Sequence, residues 1–228
     1  EHVTVTQSSS AGVYVTGTTS NPTLNDVTVS NNTGIGLNIG DGSTAAVNGL
    51  TVTGNGGFAI SQFATTTFGA LNGLVASGNG TDAIEIRGGL TGATTTWKKA
   101  ALDYVVTGDL TVQGSATAIL TIEPGVTVKF LPNTALNIGT LAPGGLQALG
   151  TEAAPILFTS AQASPDRGAW KGLYFRGNTI AGAKVAWATV SWAGATNGGG
   201  ICADRSSPTL EHVTVTQSSS AGVYVTGT

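Results

Sequence analysis

The chain has 228 residues, a net charge of −3 and 9% charged residues, against roughly 25% in ordinary soluble domains. The chain is instead rich in glycine, with 34 residues, and in threonine, with 36. Its hydrophobic content of 40% is too high for a disordered chain. The composition argues against nucleic-acid binding, because the only cationic cluster is Lys98-Lys99, and against membrane insertion, because no apolar run approaches the ~20 residues that span a bilayer.

The first predicted strands recur with a period close to 24 residues. Segments that alternate apolar and polar residues start 24, 23 and 24 residues apart, at Val3, Val27, Leu50 and Leu74. Ten residues after each start stands another apolar residue: Val13, Leu37, Ile60 and Ile84. Alternation indicates strands, and repeats of this length indicate a solenoid. Each period closes one triangular coil, and stacked coils place equivalent residues ~4.8 Å apart.

Two kinds of polar column follow from the same alignment. Asn32, Asn55 and Asn79 each stand five residues after a strand start, and stacked amides can hydrogen-bond to one another at a bend. Ser8 takes this place in the first coil, so we expect the ladder to end there. On the outward face we expect two columns of hydroxyl side chains, Thr4, Thr28, Thr51 and Thr6, Ser30, Thr53, Ser77. Such columns resemble the ice-binding faces of some β-solenoids, although threonine is also favoured at ordinary outward strand positions.

Further along the chain, residues 88–97 (GGLTGATTTW) lose the coil pattern and predict a seam between modules. We therefore expect residues 1–96 to be the later coils of one module and residues 97–228 the opening coils of the next. Strand-like segments resume after Trp97, among them LTIEPGVTVKF at 120–130 and PILFTS at 155–160.

Taken together, the apolar columns and the asparagine column resemble the right-handed parallel β-helix of the pectate-lyase-like family. The segments after Trp97 resemble the opening coils of β-helix domains in large bacterial surface and secreted proteins. The resemblance implies an all-β, right-handed parallel β-helix. The strand spacing gives about 24 residues per coil, and counting strand starts gives roughly eight coils per 210 residues. It implies little about activity, since this fold hosts lyases, hydrolases, adhesins and passive spacers.

The most informative feature is an exact duplication. Residues 1–18 (EHVTVTQSSSAGVYVTGT) recur letter for letter as residues 211–228, which indicates an array with a period of 210 residues. We expect both copies to adopt the same coil, related by a nearly pure translation of roughly 40 Å with some rotation. The prediction is a non-catalytic structural module of an extracellular tandem-repeat fibre, sheath or adhesin stalk. Its expected partner is itself, head to tail, and its expected location is extracellular or on the cell surface, because threonine and glycine replace lysine and glutamate.

No catalytic residue, cofactor site or metal site is predicted. Lyases of this fold resemble one another in gathering acidic Ca²⁺ ligands on one face, whereas here the acidic residues form no column. The nearest cluster is Asp82, Glu85 and Arg87, a pattern typical of a surface ion pair. His2 and His212 lack a neighbouring Cys or His, and Asp41 is predicted to be a turn residue.

Several alternatives stay open at this point. A β-helix that binds or degrades polysaccharide is the second hypothesis, and ice binding through the threonine columns is the third. The four tryptophans favour core packing over a sugar-stacking strip, because they are not at coil spacing. Cys202 is expected to point opposite to Ile201, as a buried thiol or as an outward one that could link neighbouring fibres.

Overall fold

The structure, a computed structural model, describes residues 2–40, 42–196 and 198–227. These residues form 23 β-strands and no helix, so among them no helix could cross a membrane. The chain divides into two compact units: unit 1 is Glu1–Arg87 with Ala100–Tyr104, and unit 2 is Gly88–Lys99 with Val105–Thr228. Asp41, predicted to be a turn residue, and Glu1 and Thr228 of the duplicated segments lie outside the described residues.

In unit 1 each strand pairs in parallel with the strand one coil away. One ladder runs β1–β3–β5, with β7 and β8 both on β5, and another runs β2–β4–β6–β9. The strands are β1 (Val3–Thr6), β2 (Val13–Val15), β3 (Thr23–Ser30), β4 (Leu37–Ile39), β5 (Thr44–Thr53), β6 (Phe58–Phe63), β7 (Thr67–Asn72), β8 (Val75–Ser77) and β9 (Thr81–Arg87).

The pairing register in unit 1 follows the period in the sequence. β1 meets β3 with Val3 opposite Val27, and β3 meets β5 with Val27 opposite Leu50. Because successive side chains of a strand point to opposite faces, every second residue of each coil enters the interior. Two interior rows result, Val27, Leu50 and Leu74 in one and Leu37, Ile60 and Ile84 in the other, and all six side chains are buried. Leu74 lies directly before β8.

The bends between strands use residues in the left-handed conformation. β3 bends at Asp26 (φ 49°), and β5 bends at the equivalent Gly49 (φ 74°). The next bend falls at Asn31 (φ 53°) and at its equivalent Gly54 (φ 64°). Glycine adopts positive φ freely, and Asn and Asp tolerate it better than other residues. This requirement explains why Gly, Asn and Asp recur between the apolar segments.

Unit 2 is also a parallel solenoid with three ladders. One runs β10–β13–β16–β19–β21–β23, another runs β11–β14–β17–β20–β22, and β15–β18–β20 belongs to the third. β20 serves two ladders because it bends at Trp187 (φ 48°), so that Lys184 faces β17 and Ala188 faces β18. The boundaries between the units fall after Arg87, after Lys99 and within β12 (Tyr104–Val106). The remaining strands are β10 (Gly89–Thr91), β11 (Thr95–Trp97), β13 (Leu110–Val112), β14 (Ala118–Ile122), β15 (Thr127–Phe130), β16 (Ala135–Ile138), β17 (Gly144–Leu149), β18 (Ile156–Ser160), β19 (Gly172–Phe175), β20 (Lys184–Ser191), β21 (Ile201–Asp204), β22 (Thr209–Thr216) and β23 (Val223–Thr226).

Two of the tryptophans are core residues of unit 2. Trp97 and Trp170 are buried, and the Trp170 ring stacks on Phe130 with centroids 4.0 Å apart and planes 4° apart. The Trp170 indole N–H donates to the carbonyl oxygen of Ser191 at 2.8 Å. Buried indoles usually need such a partner, because an unpaired polar group in the core is costly. These two rings therefore pack the interior.

The predicted fold class is confirmed: the chain is an all-β, right-handed parallel β-solenoid of about nine turns with about 24 residues each. The structure differs from the prediction at residues 88–97, which do not leave the coil pattern. β10 and β11 pair in parallel with β13 and β14, and the buried hydroxyls of Thr91 and Thr95 lie 3.2 Å apart. The division into modules at residues 96 and 97 stays a prediction.

Replacing Leu50 by Ala should lower the free energy of unfolding by about 2–5 kcal/mol, because the substitution leaves a cavity in a fully buried row. Leu141→Ala is the matched control, since that side chain is 84% exposed, and it should change stability by less than about 0.5 kcal/mol. Urea unfolding followed by circular dichroism measures both variants. Equal losses of stability in the two variants would contradict the placement of Leu50 in an interior row.

Candidate functional site

The three asparagines of the sequence-derived column form a ladder at a bend of unit 1. Asn32 Nδ2 donates to Asn55 Oδ1 at 2.8 Å, and Asn55 Nδ2 donates to Asn79 Oδ1 at 2.8 Å. Each of these oxygens also accepts the backbone N–H of the asparagine one coil earlier, at 3.1 and 3.0 Å. At the first coil, Asn32 Oδ1 accepts the backbone N–H of Ser8 at 2.9 Å. The ladder thus satisfies backbone donors that strand pairing leaves free at the bend.

Asp82 closes the other end of this ladder. Its Oδ1 accepts from Asn79 Nδ2 at 2.6 Å and from the Asn79 N–H at 3.1 Å, and its Oδ2 accepts from the Gly78 N–H at 3.0 Å. The side-chain hydrogen bond from Asn79, followed by the two backbone hydrogen bonds, lowers the pKa of Asp82 against the opposing effect of desolvation. A carboxylate suits this position because it only accepts hydrogen bonds, whereas a further asparagine would need another acceptor.

Glu85 and Arg87 belong to a network across β4, β6 and β9. Arg87 Nε lies 3.9 Å from Glu85 Oε2 and donates to Ser61 Oγ at 2.8 Å, while Ser61 donates to Glu85. The guanidinium also donates to Asn38 Oδ1 and lies 4.5 Å from the centre of the Phe63 ring. Glu85 and Arg87 thus form a partly buried ion pair held by its neighbours.

The outward hydroxyl side chains lie in register along unit 1. Their positions are half-buried in the inner coils and exposed in the outer ones. The first column ends where Val75, 56% exposed, stands opposite Thr51. The paired residues are Thr4, Thr28 and Thr51 in that column, and Thr6, Ser30, Thr53 and Ser77 in the second. Ice binding by these columns stays a prediction.

The two copies of the duplicated segment adopt the same local structure. Both contain a strand over VTVT and another over VYV, within β1 and β2 in one copy and within β22 and β23 in the other. The bend after the first strand has positive φ in each copy, at Gln7 (60°) and Gln217 (56°), and so does the bend after the second, at Gly17 (101°) and Gly227 (122°). Their neighbours differ: β1 and β2 pair with the following coil, whereas β22 and β23 pair with the preceding one.

The repeated histidine contacts a different partner in each copy. His2 Nδ1 lies 3.1 Å from Asp26 Oδ1 of the following coil. The His212 ring stacks on Trp187 of the preceding coil, with centroids 4.0 Å apart and planes 17° apart. In the described part of the chain, no group of three or more His, Cys, Asp or Glu residues could hold a metal ion.

The outward face of unit 2 carries a groove that was not predicted from the sequence. It has a volume of about 540 Å³ and lies over β16, β19, β21 and β23. Its floor is a column of residues that stand opposite one another in the register, namely Asn137, Tyr174, Cys202 and Tyr224. Each of them lies between two apolar residues of its strand. This alternation is the feature of the sequence from which their shared outward face could have been predicted. Loops of unequal length separate these coils, so that an alignment at fixed spacing does not reveal the column.

Two ion pairs line the rims of the groove. Lys171 Nζ lies 2.7 Å from Asp109 Oδ2 on one rim, and Arg176 Nη1 lies 3.6 Å from Asp204 Oδ2 on the other. The hydrogen bond from Arg205, the largest of several contributions from the two arginines, lowers the pKa of Asp204 against desolvation. The charges in the groove are therefore compensated in pairs.

Tyr174 and Cys202 form the closed part of the floor. The Tyr174 hydroxyl donates to the Lys171 carbonyl oxygen at 3.1 Å and hydrogen-bonds to Thr196, and the Arg176 guanidinium lies 4.7 Å from the centre of its ring. Cys202 points outward yet is 3% exposed, packed with Tyr174 and Ala135. Burial raises the pKa of its thiol, with Asp204 acting in the same direction and Arg176 against it. It does not offer the exposed thiol that a cross-link between fibres requires.

The protein is therefore a parallel β-solenoid. An asparagine ladder stabilises one of its bends, and a polar groove lies on an outward face of unit 2. Two family descriptions match the sequence: a pectate-lyase-like β-helix domain over residues 88–222, and a right-handed β-helix region over residues 1–116. The chain therefore belongs to the right-handed, pectate-lyase-like β-helix family. No curated protein and no solved structure matches it.

The lowered pKa of Asp82 predicts a pH-dependent contribution to stability. Because the folded pKa lies below the unfolded value of about 3.9, the contribution is complete above about pH 5 and is lost as the pH falls through the folded pKa. Asp82→Asn should lower the free energy of unfolding at pH 7 by less than about 1 kcal/mol, since water screens this exposed group, and the difference from the parent should shrink by pH 2.

Urea unfolding at pH 7 and pH 2 measures this difference. Asp166→Asn, at an exposed position after β18, is the control for loss of one carboxylate. A difference for Asp82→Asn that stays constant between the two pH values would contradict its role as an ionised cap.

Proposed function

We propose that this chain is a non-catalytic structural repeat that builds length in an extracellular tandem-repeat fibre, sheath or adhesin stalk. One observation carries the proposal: the sequence of residues 1–18 recurs 210 residues later, and both copies fold as the same coil. A β-helix grows by adding coils in register, so an identical coil at each period lets one period continue into the next. This geometry adds roughly 40 Å per period, from about eight coils at ~4.8 Å each.

The state of the carboxylates supports a structural role rather than catalysis. In a catalytic pair of carboxylates the environments typically push the two pKa values apart, so that one group can donate a proton at neutral pH. Here Asp82 caps the ladder, Glu85 contacts Arg87, and Asp109 pairs with Lys171. Asp82 and Asp204 both have lowered pKa values, which suit fixed charges and not proton donors. An extracellular location fits the scarcity of charge and the abundance of threonine and glycine.

A two-period chain tests the structural proposal. It consists of residues 1–228 followed by a second copy of residues 19–228, with the one-period chain as control. Small-angle X-ray scattering should show an increase in maximum dimension of roughly 40 Å at constant cross-section, as expected for coils added along one axis. A larger cross-section without added length would mean that the periods lie side by side, which contradicts a fibre.

The groove of unit 2 favours a second function, the binding of a polysaccharide chain. Tyr224 is 42% exposed at the open end and provides a ring face, while Asn137, Arg176 and the two carboxylates provide planar hydrogen-bonding groups. Such groups match the vicinal hydroxyls of sugars, and the compensated charges favour a neutral glycan over a polyanion. A stalk that also adheres to glycan would combine the two functions.

Affinity electrophoresis in gels containing soluble neutral or uronate polysaccharides tests the groove. Tyr224→Ala should weaken binding of a neutral glycan roughly twofold to twelvefold, because stacking on one aromatic ring contributes about 0.5–1.5 kcal/mol. Tyr14→Ala is the matched control, since Tyr14 lies in the identical local sequence but in unit 1. Equal effects of both variants would contradict binding in the groove. The glycan should be recovered uncleaved with or without Ca²⁺, and cleavage would favour an enzyme.

A further inference from the structure

The C-terminal coil of unit 2 ends in an uncovered strand edge and an apolar surface. Val225 of β23 is 71% exposed, whereas Val15, the same residue in the other copy of the sequence, is 6% exposed. The difference arises because β4 lies next to β2, with Ile39 opposite Val15, while β23 has only β21 beside it in the described residues. The structure therefore shows which neighbour buries this valine.

We infer that the coil of residues 211–227 is the attachment surface for the next copy of this repeat, whose β3 and β4 pack onto it as they pack onto β1 and β2. The inference rests on the proposed function and specifies the joint, that is, the surface through which successive copies pack on one another. The occupant is a second copy of the chain, because the identical sequence already makes these contacts in unit 1. Unpaired edges of parallel strands accept any strand of matching register, and here the register is known on both sides.

The backbone registers on the two sides are compatible with one another. On the preceding side, Ala188 stands opposite Val213. On the following side, Val3, which is the same residue of the repeat as Val213, stands opposite Val27. One valine can hold both pairings at once, because a strand has a hydrogen-bonding edge on each side. The ladder β20–β22 therefore continues into β3 of the next copy without a change of register.

The second ladder continues in the same way. Ile201 stands opposite Val223, and Val13, the equivalent of Val223, stands opposite Leu37. The bends agree as well, since Trp187, His212 and Asp26 occupy successive positions of one bend with φ of 48°, 50° and 49°. Coils with matching bends stack without distortion.

Side-chain contacts at the joint are complementary on the two sides. The histidine of the shared coil stacks on Trp187 of the preceding coil in one copy and lies 3.1 Å from Asp26 of the following coil in the other. Joined copies place this ring between Trp187 and Asp26. Ser8, the equivalent of Ser218, donates its backbone N–H to Asn32 Oδ1 of the following coil at 2.9 Å, so joined copies give the Ser218 N–H the same acceptor. The polar groups of the following coil thus belong at this end.

Thiol labelling of the two-period chain tests the joint directly. Val225→Cys in the one-period chain should react rapidly with a maleimide, and the same substitution at the internal joint of the two-period chain should react at least tenfold more slowly. Val15→Cys in the one-period chain is the reference for a covered position, and Leu141→Cys is the control that should react rapidly in both chains. The parent chain, which has only the buried Cys202, gives the background rate.

Equal rates for Val225→Cys in the two chains would overturn the inference. Scattering from the same two-period chain reports separately on the proposed function. If the two-period chain is longer but Val225→Cys at the internal joint still reacts rapidly, the fibre is supported and the proposed joint is rejected. If Val225→Cys at the internal joint reacts slowly but the maximum dimension of the two-period chain does not increase, the joint is supported and the fibre is rejected.

Discussion

The parallel backbone ladder between successive coils is the interaction on which the rest of this structure depends. Each coil contributes short strands whose N–H and C=O groups pair with the coils before and after it, so no coil is complete alone. A shift of one residue in this ladder would turn the interior rows outward. Leu50 and its stacked neighbours therefore hold the register through burial, and Asn55 holds it through hydrogen bonds to the asparagines on either side.

Strand pairing is interrupted at the bends, and nearby residues there turn the chain and satisfy its unpaired backbone groups. Left-handed residues such as Asn31 and Gly54 turn the chain, and the asparagine ladder satisfies the N–H groups of the residues that follow them. Asp82 ends that ladder with a group that only accepts hydrogen bonds. The ladder, its cap and the bends therefore depend on one another.

The two proposed functions use different parts of the same coils. Length depends on the strand edges at the ends of the units, where Val225 is uncovered in one copy and its equivalent Val15 is covered in the other. Glycan binding depends on the outward faces, where loops of unequal length raise rims around Tyr174. Stacking of further coils leaves the outward face free, so that the two functions are compatible.

The sequence by itself determined the coil length, the interior rows and the asparagine column, because regular spacing places equivalent residues at equivalent positions of a solenoid. It also determined that residues 211–228 repeat residues 1–18. Only the tertiary structure decided that Asp82 caps the ladder, that residues 88–97 form strands, and that Tyr174 and Cys202 lie in one groove with Lys171. These features join residues across loops of irregular length, and a fixed period in the sequence carries no information about such contacts.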